Sequence, residues 1–220
     1  MSAPFEKYPV QCEQIVEICR RLYARNMLAA ADGNISCRVE DGVLITPSGV
    51  SKGFIASKDI CLVSLDNQIL YGKPSTERLM HLEVFNSCPE AQAVVHAHPP
   101  HAIAWSVSYP DMKELPAQCL SEVILATGRI PFVPYARPGG AQMGDVLKDY
   151  LPEHKVMILS RHGGLSWGDS LTEAWMGMER LEHSAQILYK AQTLGGLTEL
   201  DAQEVKALYE MRKQIGNRNL

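Results

Sequence analysis

The sequence predicts a three-layer α/β/α fold built on a mixed, largely antiparallel central sheet. Three observations carry this expectation. Short runs of β-branched and aliphatic residues alternate with stretches of helical periodicity along the chain. Two pairs of those runs are joined by tight turns, which makes antiparallel hairpins and argues against an all-parallel doubly wound sheet. The 220 residues suffice for one sizeable core, and no internal repeat, low-complexity segment or linker divides them. Residues 1–220 are therefore expected to form a single domain, with C-terminal helices from about 170.

The elements follow in order. Between 8 and 28, Val10, Ile15, Ile18, Leu22 and then Met27 or Leu28 recur near helical spacing among charged residues, which predicts an amphipathic helix. Asp32-Gly33-Asn34 turns the chain into a strand over 35–39, Glu40-Asp41-Gly42 reverses it into a second over 43–46, and Pro47-Ser48-Gly49 closes the hairpin. Another strand pair, 60–65 and 68–71, flanks Asp66-Asn67. Pro74-Ser75-Thr76-Glu77 reads as a helix start with Ser75 as N-cap, an acid in the first turn, and Leu79, Leu82, Val84 and Phe85 within.

Ala93-Val94-Val95-His96-Ala97-His98 reads as a strand stopped by Pro99-Pro100. A short helix over 102–107, a strand over 130–135 and a helix over 140–150 come next. Lys155-Val156-Met157-Ile158-Leu159-Ser160 is a buried strand that delivers Arg161-His162-Gly163-Gly164 to its end. Ser170-Leu171-Thr172-Glu173 is a capping box opening a long helix to about Leu194. Gly195-Gly196 breaks it, and 199–214 forms a last amphipathic helix.

Charge and composition exclude several functions. A formal net charge of -4, a pI near 6.0 and scattered Lys and Arg leave no basic surface for nucleic acid. No apolar run approaches the length of a membrane span, and Glu6, Lys7, Glu13, Glu17 and Arg20 interrupt any leader-like segment. The expectation is a soluble cytoplasmic protein. Six cysteines without a Cys-x-x-Cys pair fit reduced, buried thiols.

The chemistry concentrates at the His-x-His strand. Side chains alternate along a strand, so His96 and His98 point to one side, where two imidazoles can grip one divalent ion. A third ligand is needed for a catalytic site, and position alone leaves His162 and His101 tied. His81, His154 and His183 fall in helices or a charged loop and read as structural or solvated. Glu77 opens the helix preceding the strand. Ser75 and Thr76 beside it, with free helix-tip N–H groups, form a receptor for phosphate. The Gly33-Asn34 and Ser48-Gly49 turns offer further donors.

Together these pieces resemble the class II aldolase/adducin family, whose known members include fuculose-1-phosphate aldolase and ribulose-5-phosphate 4-epimerase. The matching residues run in family order: Gly33-Asn34-Ile35-Ser36, Ile45-Thr46-Pro47-Ser48-Gly49, Pro74-Ser75-Thr76-Glu77, Val94-Val95-His96-Ala97-His98-Pro99, then Arg161-His162-Gly163, Gly168 and the helix containing Glu179. The resemblance covers 33 to about 185 and breaks the tie in favour of His162.

It implies Zn2+, or another divalent metal such as Mn2+ or Co2+, held by His96, His98 and His162, with Glu77 completing the resting coordination and serving as general acid/base. It implies a substrate phosphate held by Gly33, Asn34, Ser48, Gly49, Ser75 and Thr76, and a homotetramer. The implied reaction is reversible aldol cleavage of a small sugar phosphate of the ketose 1-phosphate type, through a metal-stabilised enediolate.

Three alternatives stand beside it: decarboxylation of a 3-oxo sugar-acid phosphate, dehydration of a ketose phosphate, and a non-catalytic adducin-like interaction module. A Glu at 77 rather than Asp speaks against an epimerase. Glu122 falls where a relative carries the second proton donor, and it reads equally as a solvated helix-start residue. No nucleic-acid or membrane partner is expected.

Overall fold

The computed structural model describes residues 3–140 and 142–216. The chain runs α1 (Pro4–Lys7), α2 (Pro9–Ala24), β1 (Asn34–Val39), β2 (Gly42–Ile45), β3 (Cys61–Val63), β4 (Ile69–Tyr71), α3 (Arg78–Ser87), β5 (Ala93–Ala97), α4 (Pro100–Ser108), α5 (Ser121–Ala126), β6 (Phe132–Val133), α6 (Gln142–Asp145), β7 (Val156–Leu159), β8 (Gly163–Gly168), α7 (Leu171–Leu194) and α8 (Ala202–Ile215). The eight strands form one sheet in the order β4-β3-β2-β1-β5-β8-β7-β6. Every neighbouring pair is antiparallel except β6 with β7. The mixed, largely antiparallel sheet expected from the hairpins is the one that forms.

Alternation on β5 divides the core into two layers. Ala93, Val95 and Ala97 pack with Ile15 and Leu22 of α2, Trp105 of α4 and Leu181 of α7. Val94 packs on the opposite side with Met80 and Phe85 of α3 and Met143 of α6. Each fully buried aliphatic or aromatic side chain contributes about 1.5–3 kcal/mol, so a one-residue slip of β5 would forfeit both layers. That register fixes His96 on the side of α3.

Four expectations need correction. The glycine-rich segment Gly163–Gly168 is a strand, β8, at the centre of the sheet between β5 and β7. Pro9 divides the N-terminal helix into α1 and α2, and α2 ends at Ala24, leaving Met27 and Leu28 buried beyond it. The helix placed over 140–150 is only the four residues of α6 followed by turns. Finally, α3 begins at Arg78 with Glu77 at its N-cap position, so Ser75 is not the cap residue.

The start of α7 is as expected: the Ser170 hydroxyl accepts from the Glu173 amide at 3.2 Å. In α8 the cap is Asp201, whose carboxylate accepts from the amides of Gln203 and Glu204. Among the described residues no helix is long and apolar enough to cross a membrane.

Candidate active site

Three imidazoles converge at one end of the sheet. His96 lies in β5, His98 one residue past it, and His162 in the turn joining β7 to β8. Because β8 pairs with β5 through Ala97 and Gly164, that turn is carried directly beside the end of β5. Ligand atoms of the three residues all lie within 4.8 Å of one another. The approach depends on Gly163, where an added Cβ would stand 2.5 Å from the Ala97 carbonyl oxygen and 2.7 Å from Cε1 of His96. His101 is elsewhere, its Nδ1 at 2.7 Å from the Glu182 carboxylate of α7.

Hydrogen bonds set the tautomers. His96 Nδ1–H donates to the Gly164 carbonyl at 2.8 Å, and His98 Nδ1 faces the Asp32 carboxylate at 3.1 Å. Each ring therefore turns its Nε2 lone pair inward, and both Nε2 atoms are buried with no hydrogen-bond partner. Burial pushes the His96 pKa down to about 3 against the pull of Glu77, and pushes that of His98 down against the pull of Asp32. Two neutral imidazoles with orphaned, converging lone pairs, a third imidazole and a carboxylate are a donor set that fits a divalent ion.

Glu77 closes the fourth side, with Oε2 at 3.4 Å from His96 Nε2 and Oε1 at 3.2 Å from His162 Nε2. Burial would raise its pKa, but the His162 hydrogen bond, the electrostatic pull of the His96 ring and the Asn34 amide outweigh it. The carboxyl sits well below the usual carboxylate range. Asn34 Nδ2 donates to Oε2 at 2.7 Å. The Asn34 oxygen in turn accepts from Nε2–H of His81, whose Nδ1 accepts from the Ser36 hydroxyl at 2.6 Å. His81 is wholly buried, and burial lowers its pKa to about 4. It is a structural histidine, as the sequence suggested, but one that orients Asn34 toward Glu77.

Beside the three histidines opens a cleft of about 410 Å³. All six residues expected to hold phosphate line it: Gly33, Asn34, Ser48, Gly49, Ser75 and Thr76, together with Glu77, His98 and His162. Two turns are zipped side by side to make this wall. Ser75 N donates to the Thr46 carbonyl, Ser48 N donates to the Lys73 carbonyl, and Pro47 bridges Pro74. Gly33 adopts φ +68, and a Cβ there would stand 2.9 Å from the His96 carbonyl oxygen.

The helix tip itself is not bare. Glu77 N donates to the Ser75 hydroxyl and Arg78 N to the Ser75 carbonyl, so the donors facing the cleft are hydroxyls and turn amides rather than the first N–H groups of α3.

Sequence reasoning missed three residues of this site. Asp32 supports His98, His81 orients Asn34, and Lys52 lines the cleft with its ammonium buried. Asp32 stands next to the Gly33-Asn34 motif, which is the one available signal. Nothing in the local pattern marks Lys52. Glu122 is exposed in the first turn of α5 and does not line the cleft.

Comparison with known proteins agrees with the fold. The sequence profile of the Class II Aldolase and Adducin N-terminal domain matches residues 13–189. An L-fuculose phosphate aldolase of Methanococcus maripaludis is 32% identical over 176 residues, covering 80% of this chain and 94% of the relative. A 3-oxo-tetronate 4-phosphate decarboxylase of Pectobacterium atrosepticum is 31% identical over 179 residues, covering 80% and 82%.

Among solved structures, YgbL of Escherichia coli, described as a putative aldolase/epimerase/decarboxylase, superimposes with a TM-score of 0.84 at 29% identity over 90% of this chain and 97% of its own. The L-fuculose-1-phosphate aldolase of Thermus thermophilus gives 0.75 at 31% identity, covering 86% and 97%.

Proposed function

The chain belongs to the class II aldolase and adducin family, and from that premise we propose that it is a metal-dependent lyase that reversibly cleaves a small ketose phosphate by an aldol reaction. The observation that carries this reading is the pair of orphaned, inward-facing Nε2 atoms of His96 and His98, set beside His162 and an ionised Glu77 at the mouth of a hydroxyl-lined cleft.

His96, His98 and His162 hold the ion in this reading, with Glu77 as the fourth ligand at rest; the nitrogen-rich set suits zinc, and Mn2+ or Co2+ would also be accommodated. When bound, the ion supplies Lewis-acid stabilisation of the negative charge that develops on substrate oxygens.

The protein's own residues do the rest. Ser48, Ser75 and Thr76 hydroxyls, with the turns at Gly33-Asn34 and Ser48-Gly49, anchor the phosphate and hold the reacting carbons near Glu77. Cleavage leaves an electron pair on the carbon that remains attached to the phosphate-bearing fragment, and Glu77 delivers the proton to that carbon; in the synthetic direction it removes it. Asn34 keeps Glu77 aimed, and its own orientation is set by His81 and Ser36. The hydroxyl that becomes the aldehyde oxygen must lose its proton on cleavage and regain it in the synthetic direction, which calls for a second acid/base group. Glu122 lies outside the cleft of its own chain, so in this role it would have to act from a neighbouring copy.

Decarboxylation of a 3-oxo acid phosphate is the second reading, favoured by the relative of that activity at 31% identity. Dehydration of a ketose phosphate is the third. Incubating the metal-loaded protein with ketose 1-phosphates and 3-oxo acid phosphates separates them. An aldehyde product establishes the aldolase, carbon dioxide the decarboxylase, and water loss with an intact carbon chain the dehydratase. Purified protein that carries no near-stoichiometric divalent ion and takes none up would instead support an adducin-like module.

A further inference from the structure

We propose that Lys52 is a specificity-determining residue of the cleft, whose ammonium supplies the positive charge that selects a phosphorylated substrate over an unphosphorylated one. This rests on the phosphate reading above and names the residue that gives it its charge preference.

Lys52 is only 2% exposed. Its Nζ donates to two main-chain carbonyls, Ala31 at 2.6 Å and Val50 at 3.0 Å. These belong to the two turns that flank Gly33-Asn34 and Ser48-Gly49, and Lys52 itself lines the same cleft. An ammonium has three donors, so one N–H remains beyond the two carbonyls. Among the described residues no carboxylate lies within ion-pair distance of it; Asp32 and Glu77 act only through their more distant field. Asp32 is already engaged by His98, and Glu77 by His96, His162 and Asn34.

Burying a charge without a countercharge is costly, and burial does push the Lys52 pKa down. Tying two turns together requires only a neutral donor, so the tie alone gives no reason for a lysine. A dianion entering the cleft gives one: it supplies the missing countercharge and meets the third N–H. The other groups expected to receive the phosphate are neutral hydroxyls and amides, which a sugar hydroxyl could also satisfy. Lys52 is the group among them that distinguishes a charged ligand from an uncharged one.

The test uses the full-length, metal-loaded protein with inorganic phosphate as the probe, titrated calorimetrically at pH 7.5. Lys52→Met should retain its metal and fold while binding phosphate about tenfold or more weakly, since a charge-assisted hydrogen bond is lost. With a turned-over substrate the variant should raise KM with little change in kcat, and its preference for phosphorylated over unphosphorylated sugar should shrink by the same factor. Phosphate binding unchanged within twofold in a folded, metal-replete variant would overturn the inference while leaving the cradle intact. Absence of phosphate binding to the unaltered protein would overturn both. Should Lys52→Met not fold, a crystal structure of the unaltered protein with phosphate decides: an oxygen within hydrogen-bond distance of Nζ supports the role, and a phosphate held out of its reach refutes it.

Discussion

Replacing Asp32 tests the proposed metal centre without touching any of its proposed ligands. The Asp32 carboxylate faces His98 Nδ1 at 3.1 Å, which fixes the tautomer that leaves Nε2 free to bind the ion and makes that nitrogen more basic. Removing such an outer partner lowers metal affinity by about 10- to 100-fold, or roughly 1.4–2.7 kcal/mol. The Asp32 side chain is 44% exposed, so solvent screens its charge and the lower end applies. Asp32→Ala should therefore weaken zinc binding about tenfold. Asp32→Asn, which keeps an acceptor but loses the charge, should weaken it by less. The assay is competition with a chelating dye at neutral pH, with circular dichroism to establish that both variants fold. Affinity in Asp32→Ala within twofold of the parent would refute the reasoning, because His98 would then be oriented without its carboxylate.

Three further outcomes follow from the same geometry. His98→Ala should lose metal and activity together, whereas Glu77→Gln should keep most of its metal and lose turnover; metal analysis beside kcat separates them, and full activity in Glu77→Gln removes that residue from the chemistry. Gly163→Ala drives a methyl against the Ala97 carbonyl and the His96 ring, so it should cost about 1–3 kcal/mol in urea unfolding and lower metal content, with both unchanged counting against the packing argument. His81 has a folded pKa of about 4 against an unfolded value near 6.5. The unfolded chain thus binds a proton that the native state excludes, and stability falls as pH drops from about 6.5 toward 4. Between pH 7 and 5 the parent should lose roughly 2 kcal/mol more than His81→Gln, and equal losses in urea titrations would contradict the burial-driven shift.

How much of this was legible in the sequence depends on what each residue needed. The hairpin of β1 and β2 and the helices α2 and α7 announce themselves through periodicity and turn residues, and β5 through its run of β-branched residues ended by prolines. β8 does not, because Gly163, Gly164 and Gly168 are poor strand formers chosen for another reason: each sits where a side chain would collide with β5, α7 or Glu173. The His-x-His pair is a local pattern and was visible. Asp32, His81 and Lys52 act across sequence distances that no local pattern encodes: Asp32 reaches His98, His81 reaches Asn34, and Lys52 reaches the carbonyl of Ala31. The bare helix tip was misread for a related reason, since the Ser75 hydroxyl and carbonyl satisfy the N–H groups of Glu77 and Arg78 before any ligand arrives.

Asn34 joins the two halves of the site. It pairs with His96 in the β1–β5 register, so its backbone is as fixed as that of the histidine beside it. Its side chain donates to Glu77, and the residue lines the cleft where a phosphate would sit. With its oxygen held by His81, the amide has no freedom to flip. The amide carries two N–H donors, so holding Glu77 with one does not oblige it to release that bond when a ligand enters the cleft.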